Sequence, residues 1–137
     1  MNKKICFIFL FLFVSAASTS KAQNNPVMYF CKKYDADKGE INISDRFCKG
    51  DITVMIKCDN EIGLKKVHIQ FDEWDPAVHS FWLYKKFNFT VNPSMKYVYF
   101  SKNDESDMSF DEPGFFRVLL LNDNDSTAAS AIVQIVE

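Results

Sequence analysis

Apolar residues alternate with polar ones at a period of two in run after run along this chain, and that pattern restricts it to strands. Ile52, Val54, Ile56 and Cys58 fall on one side of an extended backbone, and Val67, Ile69 and Phe71 on another, opposite Lys66, His68 and Gln70. Phe81, Leu83, Phe87, Phe89 and Val91 share a third side. No stretch carries the i, i+3, i+4, i+7 spacing of an amphipathic helix, so the chain reads as all-β. Strands are expected over residues 27–34, 51–58, 65–71, 80–91, 95–101, 115–122 and 127–136, with a short extra one at 41–43. Asp75-Pro76, Asn92-Pro93 and the run from Asn122 to Asp125 supply turns between them. About seven strands at this spacing predict a single antiparallel β-sandwich. The run from Phe115 to Leu121 is interrupted only by Arg117. It predicts a strand covered on both sides, either central in the sandwich or turned outward against a partner.

Met1 to Ala22 has the form of a secretory signal, with Lys3 and Lys4, an apolar run from Ile5 to Val14, and small residues leading to Ala22. The apolar run is too short to span a bilayer and no second one follows it. The expectation is a signal over 1–22 and one β-sandwich domain over 23–137, exported to the periplasm or beyond, with no integral membrane segment after cleavage. The short, lysine-led form resembles bacterial signals. Losing the signal removes three lysines and no acid, so thirteen basic residues face eighteen acidic ones and the formal charge moves from −2 to −5. A mildly acidic domain whose basic pairs are scattered is not expected to bind nucleic acid.

The segment Phe110-Asp111-Glu112-Pro113-Gly114-Phe115-Phe116-Arg117-Val118 resembles the entry to the penultimate strand of immunoglobulin-like and fibronectin type III-like sandwiches, where a Pro-Gly turn precedes an aromatic-x-Val pattern. The hairpin and final strand after it extend the likeness over about the last thirty residues. What the resemblance implies is an Ig-like arrangement of strands; such sandwiches carry unrelated functions. Phe116 stands where these domains often have a tyrosine, and the Cys-Trp-Cys core pattern of antibody-type domains is missing.

With Cys6 lost in the signal, Cys31, Cys48 and Cys58 remain. An odd count leaves two alternatives, one disulfide with a free thiol or three free thiols. No Cys-x-x-C spacing or close Cys/His pair offers a sulfur metal centre. His68 and His79 stand in no nucleophile motif, so no enzyme is expected. The stretch from Asp35 to Gly39 superficially looks like a calcium loop, but its glycine comes at the fifth position and Arg46 occupies the twelfth, where a bidentate acid is required.

Two surfaces remain as candidates. If successive strands alternate in direction, the loops after residues 71 and 101 open at one pole and bring Asp72 and Asp75 towards Asp104, Asp107 and Asp111. Gathered carboxylates of that kind would form a weak calcium site, the one cofactor these loops suit. The second surface is aromatic: Trp82 and Tyr84 fall opposite Phe81 and Leu83, and with Trp74 they offer flat rings that stack on sugars or anchor a protein. The leading expectation is therefore a non-enzymatic exported binding module for a protein or glycan partner, with the calcium module as its alternative.

Overall fold

The alternating runs pair into two facing sheets. The computed structural model describes residues 25–137, so the segment read as an export signal lies outside the described residues. Eleven strands follow in order: β1 (Val27–Asp35), β2 (Gly39–Ile43), β3 (Arg46–Cys48), β4 (Gly50–Asp51), β5 (Thr53–Lys57), β6 (Lys66–Asp75), β7 (Ser80–Thr90), β8 (Tyr97–Phe100), β9 (Ser109–Phe110), β10 (Gly114–Asn122) and β11 (Thr127–Val136). One sheet has the order β2-β1-β5-β8 and the other β3-β11-β10-β6-β7, while β4 and β9 form a small two-stranded clasp. The seven expected strands and the short one at 41–43 are all present. Three short strands, β3, β4 and β9, are additional, because two or three residues carry too little alternation to stand out in a sequence.

All pairs are antiparallel except β3 with β11, which run parallel. Among the described residues the path runs from β1 in the first sheet to β3 at the edge of the second and returns to the first with β5. This division places β1, β5 and β8 on one sheet and β6, β10 and β11 on the other, which is the Ig-like arrangement. The core between the sheets holds Phe30, Val54 and Ile56 from the first, and Ile69, Phe71, Phe116, Val118 and Val133 from the second. Ile52, Cys58 and Val67 join it, so the first two faces read from the alternation are core faces. Phe116 lies edge-on to Phe110, with ring centroids 4.6 Å apart. An apolar ring there fills the site that a tyrosine often takes in related folds.

The third face departs from simple alternation. Phe71 pairs with Lys85 but Asp72 pairs with Leu83, leaving Tyr84 as the extra residue of a β-bulge. Alternation read through a bulge is out of phase beyond it. Phe87 and Phe89 therefore pack against the core, whereas Leu83 points outward and is 64% exposed.

The β1–β2 hairpin folds back over the outside of the first sheet. Cys31, Thr53 and Met55 all point away from the central core by strand parity, yet each is buried. Asp35 shapes the hairpin turn, its Oδ1 accepting the backbone N–H groups of Asp37 and Lys38 at 3.0 Å, so the segment compared with a calcium loop is an Asx turn. The fold-back is fastened by Tyr34 stacked on Tyr99 at 4.4 Å and by the Tyr29 hydroxyl donating to Glu40 Oε1 at 2.6 Å. The Tyr97 hydroxyl donates to the same carboxylate oxygen.

All three cysteines of the described residues are free thiols. The register that pairs Cys31 with Thr53 and Val27 with Lys57 sets Cys58 about five positions along the ladder from Cys31, roughly 16 Å at strand rise. Cys48 lies on β3, at the edge of the other sheet. A disulfide needs Cα atoms within about 7 Å, so strand placement keeps Cys31 and Cys58 apart. Burial pushes both the Cys31 and Cys58 thiols up from their usual range.

Candidate functional site

The outer surface of the second sheet gathers apolar side chains around the Arg117–Asp72 ion pair. Ile132, Arg117, Asp72 and Leu83 stand in register across β11, β10, β6 and β7. In the next row Ser130, Leu119, Gln70 and Lys86 do the same. On the other side, Phe115 pairs with Gln134 and Trp74 with Phe81, extending the surface towards the β6–β7 turn. Central strands put these side chains on one flat face because every second residue of each strand points the same way.

At its centre Arg117 donates to Asp72 Oδ2 from Nη2 at 2.7 Å and from Nε at 3.2 Å. Gln70 Nε2 donates to the other oxygen, Oδ1, at 2.8 Å. Asp72 is only 3% exposed although it points away from the core, because its neighbours cover it. The Arg117 guanidinium lies 4.6 Å from the centre of the Phe81 ring, and Phe81 meets Trp74 edge-on at 5.0 Å. Around this pair Phe115 is 49% and Ile132 47% exposed. The result is a buried carboxylate held by a partly exposed arginine, with exposed apolar side chains on either side of the pair.

The three aromatic residues expected to form one patch separate. Trp82 is 61% exposed and stands beside Glu73 at the end of the sheet. Trp74 is half-buried and belongs to the outer face. Tyr84 turns into the core, its ring stacked on Phe110 at 6.0 Å and tilted against Phe116 at 5.2 Å. The bulge puts both Trp82 and Tyr84 on the core side, where Tyr84 meets Phe110 and Phe116 while Trp82 lies beyond them at the end of the sheet.

The carboxylates expected to converge at one pole are dispersed. β6 continues four residues past Phe71, so Asp72 is a strand residue bound to Arg117 rather than a loop ligand. Asp75 Oδ1 accepts the Ala77 N–H at 2.8 Å and shapes the β6–β7 turn. The loop after β8 folds back beside β7 instead of projecting at the pole. Asp107 Oδ1 there accepts the Ser109 hydroxyl at 2.5 Å and lies 3.4 Å from Lys102, while Oδ2 lies 3.4 Å from Lys85. The Ser109 hydroxyl, followed by those two lysines, holds the Asp107 carboxyl down to about 2. Asp104 stays in this loop and Asp111 is exposed between β9 and β10. Among the described residues no three acidic, histidine or cysteine side chains come together as a metal site.

His68 and His79 are equally far from a catalytic arrangement. His68 Nδ1 lies 2.6 Å from Asn88 Oδ1, and His79 sits in the β6–β7 turn with its ring 6.4 Å from that of Trp74. Sequence reasoning did not pair Asp72 with Arg117, although a lone arginine inside an apolar run and an acid directly after a core strand face were the available signals.

No protein-family model matches the chain, and no curated protein sequence matches it. Its backbone is similar to the crystal structure of an immunoglobulin-like protein from Pseudomonas aeruginosa, at 8% identity and a TM-score of 0.47, over 80% of this chain and 91% of that one.

Proposed function

We propose that this chain is an exported, non-enzymatic Ig-like binding module that holds a protein partner through the outer face of β11, β10, β6 and β7. The observation that carries the reading is the four-strand row Ile132–Arg117–Asp72–Leu83, in which a buried aspartate bound by a partly exposed arginine is flanked by exposed apolar side chains. Charged groups are desolvated on an outer sheet surface at a cost, and a partner that completes the burial turns that arrangement into binding energy. A protein suits the face better than a glycan because Leu83, Leu119 and Ile132 contribute aliphatic surface, whereas a sugar gains from hydrogen bonds and ring stacking.

Arg117 also bears on the kind of partner. Its Nε and Nη2 are engaged by Asp72, which leaves Nη1 without a partner among the described residues. A second copy docked about a two-fold axis through Arg117 would set guanidinium against guanidinium. The fitting partner is a different protein that presents an apolar surface with a carboxylate or carbonyl acceptor for Arg117. Export is supported by the lysine-led apolar segment over residues 5–14.

Leu83→Glu and Ile132→Glu place a charge in the face at exposed positions. Each is expected to weaken capture of the partner from an envelope extract at least tenfold, roughly the effect of a hot-spot change, with the melting midpoint kept. Ile43→Glu, on the opposite sheet, is the matched control and is expected to leave capture unchanged. Equal capture by all three variants would remove the outer face from the account.

A further inference from the structure

A recess lies towards the other end of the same sheet, where His68 and Asn88 form the row beyond Gln70 and Lys86. The loop after β8 turns tightly there: Asn103 N donates to Ser106 O at 3.1 Å and Ser106 N to Asn103 O at 3.3 Å. Asn103 Oδ1 accepts the Glu105 N–H at 2.8 Å and the Ser106 hydroxyl at 2.9 Å, which fixes the turn from within. This turn stands beside the first residues of β6 and the last of β7. Between them is a cleft of about 520 Å3 lined by Lys66, His68, Asn88, Phe89, Thr90 and Glu105 beneath the turn.

The lining offers hydrogen bonds of every sense. An amide oxygen can only accept, so at 2.6 Å from Asn88 Oδ1 the His68 Nδ1 donates, while Nε2 lies 3.9 Å from Asp125 Oδ1. The Lys66 ammonium, the Thr90 hydroxyl and the Glu105 carboxylate have no hydrogen bond or ion pair within the described residues. The ammonium only donates, the carboxylate only accepts, and the hydroxyl does both. An anion entering the cleft would meet Glu105 and a cation would meet Lys66. An apolar ligand would strip water from all three and replace none of their bonds. A neutral molecule with hydroxyls on successive carbons satisfies donor and acceptor alike. The volume is within the range of pockets that enclose small ligands.

We propose that this cleft binds one neutral saccharide unit, with Glu105 accepting from and Lys66 donating to its hydroxyls, and Asn88 and Thr90 bonding between them. The site borders the protein-binding face, and the proposal does not depend on that reading. Titration of the ¹⁵N-labelled mature domain with D-glucose, D-mannose, D-galactose and N-acetyl-D-glucosamine at millimolar concentration tests it. These sugars differ at C2 or C4, so a cleft that reads hydroxyls at either carbon distinguishes them. The expected result is a saturable shift with at least one, confined to amides 66–68, 88–90 and 103–106. Glu105→Ala, at an exposed loop position, is expected to weaken that binding about tenfold, and the near-isosteric Thr90→Val to weaken it measurably. Three results would overturn the proposal: no saturable shift with any of the four, shifts that Glu105→Ala leaves unchanged, or shifts at these amides with glycine but with none of the sugars, which would make it a zwitterion site.

Discussion

Arg117 holds Asp72 through two nitrogens on one carboxylate oxygen, at 2.7 and 3.2 Å, on the solvent side of a central sheet. With Asp72 almost wholly covered, its carboxylate depends on Arg117 and Gln70 for the bonds that water would otherwise give. Arg117→Ala is expected to destabilise the domain by about 2 kcal/mol, below the cost of breaking a fully buried pair because the arginine is partly exposed. Replacing both residues with leucine is expected to recover most of that loss, since no unpaired charge remains. Urea denaturation of the two variants separates these outcomes, and equal losses would show that the pair itself matters less than the space it fills.

The bulge at Tyr84 predicts opposite costs for two neighbouring aromatics. Tyr84→Ala removes a ring packed on Phe110 and Phe116 and is expected to cost about 3 kcal/mol. Trp82→Ala, at an exposed position, is expected to cost less than about 0.5 kcal/mol. Small and similar losses for both in thermal melts would mean that alternation continues unbroken through this strand and turns both rings outward.

The fold-back of the β1–β2 hairpin depends on Glu40. Hydrogen bonds from Tyr29 and then Tyr97 hold its carboxyl below the ordinary value of 4.5. Burial, followed by bonding to Glu40, raises the hydroxyls of both tyrosines. A carboxyl depressed in the folded state stabilises fully above its unfolded value, and that contribution is lost as pH falls through the depressed folded value. Glu40→Gln is therefore expected to lower the melting midpoint at pH 7, with the gap from wild type narrowing as the pH is taken below 4.5. A gap that widened in acid would contradict the latch.

Thiol chemistry reads the strand placement. In the native domain over residues 25–137 Cys48 is exposed and is expected to react promptly with a maleimide, while Cys31 and Cys58 react only on unfolding. Mass spectrometry counts the adducts, and a species two hydrogens lighter that takes up a single label after denaturation would reveal a disulfide among them.

Much of this architecture was legible because alternation is a local property. Val67, Ile69 and Phe71 announced a core face, and the segment from Pro113 to Val118 pointed to the Ig-like arrangement that the strand order shows. Tyr84 was misplaced because a bulge depends on how two strands pair, which no single run records. Asp72 and its companions were misplaced because β6 outlasts its apolar stretch, carrying the acid into a sheet where only β10 supplies the arginine. The cleft between β7 and the 103–106 turn was unread, since its lining comes from segments distant in the chain.

Photo-crosslinking from single benzoylphenylalanine residues, installed in the full chain expressed in its own cells, addresses the binding face directly. Substitution at Leu83, Phe115 or Ile132 is expected to give one discrete adduct with a different protein, and substitution at Ile43 or Tyr99 on the opposite sheet is expected to give none. Adducts arising equally from both sheets, no adduct from the outer face, or an adduct of two copies of this chain would contradict the account.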